Sequence, residues 1–147
     1  MKFQLVQANQ LTDVWEYVKA GLARIREKGK VKWIDEEVFA AVYRGRAGLF
    51  LAMDGEDRRG FVATEVRKDD NTGLPTLHVW LCWGEPRKGE HYADASVFTP
   101  DMVAFLDEHA KQMTGSSRWT FDGLKGWERY LKGYCEPMHT RFERVLT

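Results

Sequence analysis

The chain has 147 residues, of which 44% are hydrophobic and 30% charged; this is the composition of one folded domain and excludes a disordered tail. Lysine plus arginine and aspartate plus glutamate each number 22, so no net charge draws the chain to nucleic acid or to an anionic membrane. No apolar stretch approaches the ~20 residues of a membrane-spanning helix, and we expect neither nucleic acid nor membrane as a partner.

The cysteine content and the first residues indicate a cellular compartment. Cys82 and Cys135 are too few for a disulfide framework. Residues 1–10 lack the apolar segment of a secretory signal. A reducing, cytoplasmic location is therefore our expectation.

The first third of the chain predicts one strand and two helices. Residues 2–7 alternate in polarity, as a short strand does. Apolar residues then recur at helical spacing from Val14 to Ile25, and acidic residues open a second helix, where the helix dipole favours them. The first helix is predicted to have Thr12 or Asp13 as its N-terminal cap and to end at Gly29. The second is predicted to have Asp35 as its cap and to end at Gly45.

Three strands follow, at residues 48–53, 60–67 and 76–83. Short turns join them, so we expect antiparallel pairing. The third strand is the most strongly patterned of the three. Its alternation predicts one apolar face made of Leu77, Val79, Leu81 and Trp83.

The sequence predicts a helix that begins at Thr99, with Pro100 at its first position and Asp101 in its first turn. It runs over residues 99–114 and precedes a short strand at residues 118–121. We expect strands 76–83 and 118–121 to be parallel neighbours joined by this helix. The residues predicted to be buried together are Leu77, Val79, Leu81, Val103, Leu106, Trp127 and Leu131.

The element order is strand, helix, helix, three strands, helix, strand, helix, strand. It predicts an α/β (α+β) fold: one domain over residues 1–147, with a mixed, mostly antiparallel sheet and helices on both faces.

The end of the chain carries a family resemblance. Tyr130 lies on the predicted last helix, Gly133-Tyr134 follows, and residues 138–146 form a last strand. This ending and the element order resemble the GCN5-related N-acetyltransferase (GNAT) superfamily over nearly the whole chain. Gly126-Trp127 and the short length also resemble GNAT-like proteins of tailed bacteriophages.

The resemblance implies two catalytic candidates. Tyr130 matches the family's general acid, which protonates a departing thiolate, and Glu65 lies on a strand where the family often places a general base. The alternatives are a Tyr130 that only packs and a Glu65 that only faces solvent.

The family binds the pyrophosphate of acetyl-CoA with a glycine-rich turn at a helix start. Here Arg87, Lys88 and Gly89 match that turn only in part, because no second glycine follows. Pro100 removes one N–H from the next helix, and Asp101 places a negative charge in its first turn. We therefore expect no cofactor, with acetyl-CoA as the alternative.

Other candidate site residues carry weaker signals. His78 and Cys82, and Cys135 and His139, are each four residues apart, which is ~13 Å along a strand and too far to share one zinc ion. We expect no metal. A third pair, His91 and Tyr92, lies in the long connection and can contact a ligand or partner.

Two functions remain open. One is a GNAT-fold protein with an eroded acetyl-CoA loop, acting through protein contacts or self-association as a phage-type structural or infection-accessory protein in the host cytoplasm or virion. The other is an active acetyl-CoA-dependent N-acyltransferase with Tyr130 as general acid.

Overall fold

A computed structural model describes residues 1–85, 98–116, 118–122, 127–135 and 144, and all structural statements below concern this part of the chain. The elements follow in the predicted order: β1 (Lys2–Leu5), α1 (Leu11–Lys28), α2 (Asp35–Tyr43), β2 (Gly48–Asp54), β3 (Asp57–Lys68), β4 (Pro75–Gly84), α3 (Phe98–Thr114), β5 (Trp119–Phe121) and α4 (Trp127–Leu131). The last predicted strand, residues 138–146, lies outside the described residues.

The described strands form one mixed sheet in the order β1-β2-β3-β4-β5. Neighbours from β1 to β4 are antiparallel, and β4 and β5 are parallel. The parallel register joins Leu77 to Trp119 and Val79 to Phe121, with α3 between the two strands in sequence. The predicted parallel crossover is confirmed.

Helices cover both faces of the sheet, as predicted. The first core cluster lies between the sheet and helices α1 and α2; its buried members include Leu11, Val14, Val18, Leu22, Val38, Val42, Leu49, Leu51, Phe61, Ala63 and Leu81. The second cluster lies between the opposite face and helices α3 and α4; it includes Ala52, Val62, Leu77, Val79, Cys82, Met102, Leu106, Ala110 and Leu131. Within the described ranges, no helix is long and apolar enough to cross a membrane.

The apolar face predicted for β4 is wrong. Leu77 and Val79 belong to the second cluster. Leu81 belongs to the first cluster, and Trp83 packs against it. A β-bulge causes this change, because Thr64 pairs with Val79 while the preceding Ala63 pairs with Leu81. The extra residue in β4 reverses the alternation of every side chain beyond it.

The rest of the predicted buried group is mostly correct. Leu106 and Leu131 are buried in the second cluster with Leu77 and Val79, while Val103 and Trp127 are only partly buried against it. Trp127 and Leu131, one helical turn apart, reach the same cluster, as the spacing predicted.

The caps of the first two helices differ from the prediction. A 3-10 turn, Ala8–Gln10, runs directly into α1, so the helix begins at Leu11 and Thr12 and Asp13 lie inside it. Ile34 is the residue before α2, and Asp35 is its first helical residue. The Asp35 carboxylate pairs with Arg26, and no side chain caps the N-terminus of α2.

Two close approaches position the sheet and α1. Gly60 on β3 has φ +143°, and a Cβ there would overlap the carbonyl oxygen of Trp83 on β4. A Cβ on Gly21 of α1 would overlap the rings of Phe61 and Trp83. Glycine at position 21 thus lets α1 lie directly on β3 and β4 beside the bulge.

Candidate active site

The bulge in β4 coincides with the place where β4 and β5 separate. Trp80 is the bulged residue, since it has no partner in β3. The β4–β5 ladder ends at Val79, whose carbonyl oxygen accepts a bond from the Asp122 N–H at 3.2 Å. Beyond Val79, residues 80–84 pair with no described strand on the β5 side. We call this place the β4–β5 opening; among the described residues, the main-chain N–H and C=O groups of β4 there have no strand partner on the β5 side.

Tyr130 lies on α4, shortly after β5. Its ring stands edge-on to Trp127 with centroids 5.7 Å apart, and the Trp127 ring lies 5.3 Å from that of Phe121. Phe121 ends β5 and is the last residue paired with β4. The aromatic contacts therefore connect the half-buried Tyr130 to the end of β5 at which the opening begins.

The left-handed residue after α4 is Gly133, as predicted. Its φ is +91°, and the N–H groups of Tyr134 and Cys135 both donate to the Leu131 carbonyl oxygen. This C-terminal turn fixes the end of the helix that carries Tyr130.

Glu65 is placed in a row of polar side chains that crosses three strands. The β3–β4 register sets Glu65 opposite His78, and the β4–β5 register sets His78 opposite Thr120. Directly paired residues share a face of the sheet. Glu65 is half-buried and pairs with Arg67, whose guanidinium also lies 3.8 Å from the Asp122 carboxylate.

His78 is the buried centre of that row, with 4% of its surface exposed. Its Nδ1 lies 2.6 Å from the Thr120 hydroxyl oxygen. Its Nε2 is buried and lies 3.1 Å from an oxygen of the Asp122 carboxylate. Burial, with help from the Arg67 charge, lowers the pKa of His78, while the Asp122 and Glu65 carboxylates oppose that shift. Burial thus favours the neutral form of the His78 imidazole.

The predicted cofactor residues Arg87, Lys88 and Gly89 lie outside the described residues, as do His91 and Tyr92. The helix after them is α3, and Pro100 and Asp101 lie in its first turn, as predicted. The Asp101 carboxylate lies 3.1 Å from the α-amino nitrogen of Met1, so a cation offsets part of its negative charge.

Neither cysteine has the surroundings of a nucleophile. Cys82 is buried on the α3 side, with its sulfur 3.2 Å from that of Met102, and burial raises the pKa of its thiol well above the usual range. Burial and the Asp107 charge also raise the pKa of Cys135. A thiolate is disfavoured at both positions. Within the described ranges, no group of three or more His, Cys, Asp or Glu residues could hold a metal ion.

A further contact near the end of β4 was not predicted from the sequence. The Tyr17 hydroxyl on α1 donates to the Glu85 carboxylate at 3.4 Å, and the Arg58 guanidinium lies 5.4 Å from the centre of the Tyr17 ring. Burial and the Glu85 carboxylate raise the pKa of Tyr17 above its usual range. This contact ties α1 to the residue that follows β4.

The fold is shared by solved acetyltransferase structures. A predicted acetyltransferase with acetyl-CoA from Clostridium acetobutylicum superposes with a TM-score of 0.66 at 13% identity, over 99% of this chain and 95% of that one. An aminoglycoside 6'-N-acetyltransferase from Acinetobacter haemolyticus gives 0.61 at 15% identity, with full coverage of both chains. A ribosomal-protein-alanine N-acetyltransferase from Brucella melitensis gives 0.61 at 15% identity, over 98% of each chain.

No protein-family model matches the sequence, and no match is found among curated proteins. At identities of 12–15% the structural similarity establishes the fold and leaves activity to the site itself. The chain has the fold of the GNAT acetyltransferases.

Proposed function

We propose that this protein is an N-acyltransferase that uses acyl-CoA, with the reaction at the β4–β5 opening. The single observation that carries the proposal is the coincidence of the Trp80 bulge with the end of the β4–β5 ladder at Val79. Among the described residues, β4 beyond this point has no partner on the β5 side, so its main-chain donors and acceptors are candidates to pair with a ligand.

The opening suits an extended ligand that carries amide groups. Main-chain N–H and C=O groups of residues 80–84 can pair with such a ligand much as they would with another strand. Acyl-CoA contains an amide-bearing arm of this kind and, when bound, supplies an activated acyl group. Arg87 and Lys88 carry charges that suit its phosphates, and they remain candidates for that end of the site.

Tyr130 is the proposed general acid. A phenol hydroxyl can donate a proton to a departing thiolate. Its support is its place on α4, held by Trp127 against the end of β5. Trp127 thus acts as a positioning residue for Tyr130.

The test is acetyl transfer to a panel of primary amines by the wild type and by Tyr130→Phe. We expect kcat to fall ~10²–10⁴-fold in the variant, because general acid catalysis contributes about that factor. Tyr134→Phe is the matched control, since Tyr134 is four residues further on and exposed. Equal loss in both variants, or none in Tyr130→Phe, would remove Tyr130 from the mechanism.

A second candidate is the contact protein with an eroded cofactor loop. Its support is the first turn of α3, where Pro100 lacks an N–H and Asp101 brings a negative charge. In this case a protein partner or self-association replaces acyl transfer. The phage-type role is a hypothesis of this second candidate alone, and all three structures described above are acetyltransferases by their descriptions.

Ligand binding separates the two candidates. Saturable acetyl-CoA binding with acyl transfer supports the enzyme. A chain that binds no acyl-CoA yet self-associates, or captures one partner protein in stoichiometric amounts, supports the contact role.

A further inference from the structure

Strand β1 forms one edge of the sheet. Among the described residues it pairs with β2 alone, so its outer side has no strand partner there. Three of its four residues, Lys2, Gln4 and Leu5, are exposed. An edge strand presents unpaired main-chain N–H and C=O groups along its outer side, and these can pair with another chain.

The hydrogen-bond pattern between β1 and β2 shows which main-chain groups of β1 point outward. The Val6 N–H donates to the Leu49 carbonyl oxygen at 2.8 Å, in register with the β1–β2 ladder. In an antiparallel ladder such hydrogen-bonded pairs alternate with pairs that are not bonded to each other. The main-chain groups of Gln4 therefore point to β2, and those of Phe3 and Leu5 point away from it.

The side chains of β1 alternate between the two faces of the sheet. Phe3 pairs with Ala52 of the second core cluster and stacks on Phe105 of α3, with ring centroids 4.8 Å apart. Leu5 lies on the same face, with 52% of its surface exposed, and Gln4 lies on the opposite face. The two residues that bond outward thus carry apolar side chains on one face, with an amide side chain between them on the other.

This pattern is complementary to itself. Two antiparallel copies of β1, related by a two-fold axis at Gln4, place Phe3 of each copy opposite Leu5 of the other. Both residues of such a pair exchange main-chain hydrogen bonds, and their apolar side chains meet on the α3 face. The two Gln4 amides meet on the other face. Lys2, the charged residue of β1, lies at opposite ends of the ladder in the two copies, so like charges are not paired.

The charge of the whole chain also permits two copies to approach. Lysine plus arginine and aspartate plus glutamate each number 22, so copies carry no net charge that would repel them. A strand of an unrelated protein can bond to the same main-chain groups. A second copy is favoured because its own β1 supplies the matching order of apolar and amide side chains.

We propose that β1 is the interface of a symmetric dimer, in which two copies pair antiparallel about a two-fold axis at Gln4 and join their sheets into one. The interface is isologous, since each copy contributes the same strand. It goes beyond the proposed acyl transfer, because β2 and β3 separate β1 from β4 and leave the β4–β5 opening free. A strand of four residues gives a small interface, so the dimer forms and dissociates with concentration.

The first experiment is sedimentation equilibrium of the purified full chain from about 1 μM to about 1 mM, a range that detects dissociation constants up to about 1 mM. We expect the average mass to rise from that of one chain toward that of two. Over the same range, hydrogen exchange of the Phe3 and Leu5 amides should slow, and that of Gln4, already bonded to β2, should change less. A constant monomer mass would overturn the dimer. A rising mass with unchanged exchange at Phe3 and Leu5 would overturn β1 as its interface.

The second experiment uses the two-fold axis at Gln4. In Gln4→Glu alone and in Gln4→Lys alone, like charges lie opposite each other, and each change should weaken self-association ~5-fold or more. An equal mixture of the two variants pairs opposite charges and should associate more tightly than either variant by itself. Gln112→Glu is the matched control, because it makes the same change at an exposed position of α3, and it should dimerise as the wild type does.

Circular dichroism checks that each variant is folded. A mixture that associates no more tightly than its separate variants, or a Gln112→Glu that weakens the dimer as much as Gln4→Glu, would overturn the pairing at Gln4. Acetyl-CoA binding is measured on the same samples, and we expect it to be equal in wild type and Gln4→Glu. The dimer and the acyl transfer can therefore fail separately.

Discussion

Val79 and Leu81 are two residues apart on β4 and contact opposite cores. Val79 lies against α3, and Leu81 lies against α1 and α2, because the Trp80 bulge inserts one residue between them. The sheet separates the two cores, and the bulge sets which core each β4 side chain beyond it contacts. It also marks the end of the β4–β5 ladder, so one irregularity determines both the packing and the candidate site.

The separation of the cores can be measured by a double-mutant cycle. Leu81→Ala and Leu106→Ala should each cost ~2–5 kcal/mol of unfolding free energy, since both side chains are buried. Their effects should add within ~0.5 kcal/mol, because the sheet lies between them. Leu77→Ala with Leu106→Ala is the control within one core and should deviate from additivity. Denaturant unfolding gives all values; strong coupling between Leu81 and Leu106 would show that β4 has no bulge.

Gly21→Ala distinguishes helix propensity from packing. Helix propensity alone predicts that replacing a glycine by alanine inside a helix raises the unfolding free energy by ~1 kcal/mol. The structure predicts the opposite sign, a cost of ~1–3 kcal/mol, because the added methyl group overlaps the rings of Phe61 and Trp83. Chemical denaturation settles the sign. A stabilised variant would mean that α1 stands further from the sheet than described.

Much of the fold could be predicted from the sequence because its signals are local. The start of α3 and the strong strand β4 were enough to predict the parallel crossover. The bulge was not predicted, since a run in which Trp80 and Leu81 are both large and apolar fits either face. The alignment of Glu65, His78 and Thr120 across three strands was missed for another reason. His78 and Thr120 are 42 residues apart, and only the strand register brings them together.

Acidification should destabilise the fold in the range of histidine titration. Burial lowers the pKa of both His78 and His109 in the folded chain. Below about pH 6.5 the unfolded chain binds protons that the folded chain does not yet bind, so the unfolding free energy falls as pH falls. Thermal midpoints from about pH 7.5 to 5.5 should decline, and His109→Gln should decline less steeply. A flat profile in the wild type would contradict the burial of these rings.

Thiol labelling should distinguish Cys82 from Cys135, which both contact the second core cluster. In Cys135→Ser the remaining Cys82 is fully buried, and the pKa of its thiol is raised well above the usual range. It should react with a disulfide reagent only as the protein unfolds, at a rate that rises with denaturant. Cys135 in Cys82→Ser is half-buried and should react in the native state, more slowly than a free thiol. Rapid native labelling of Cys82 would contradict the packing of β4 against Met102.

The most direct test of the central claim, that the β4–β5 opening binds acyl-CoA, is calorimetric titration of the purified full chain with acetyl-CoA. We predict saturable binding of one acetyl-CoA per chain in the micromolar range. At about 100 times the dissociation constant the ligand should raise the unfolding free energy by about 2.7 kcal/mol. Absence of both binding heat and stabilisation would contradict the enzyme and favour the contact protein with an eroded cofactor loop.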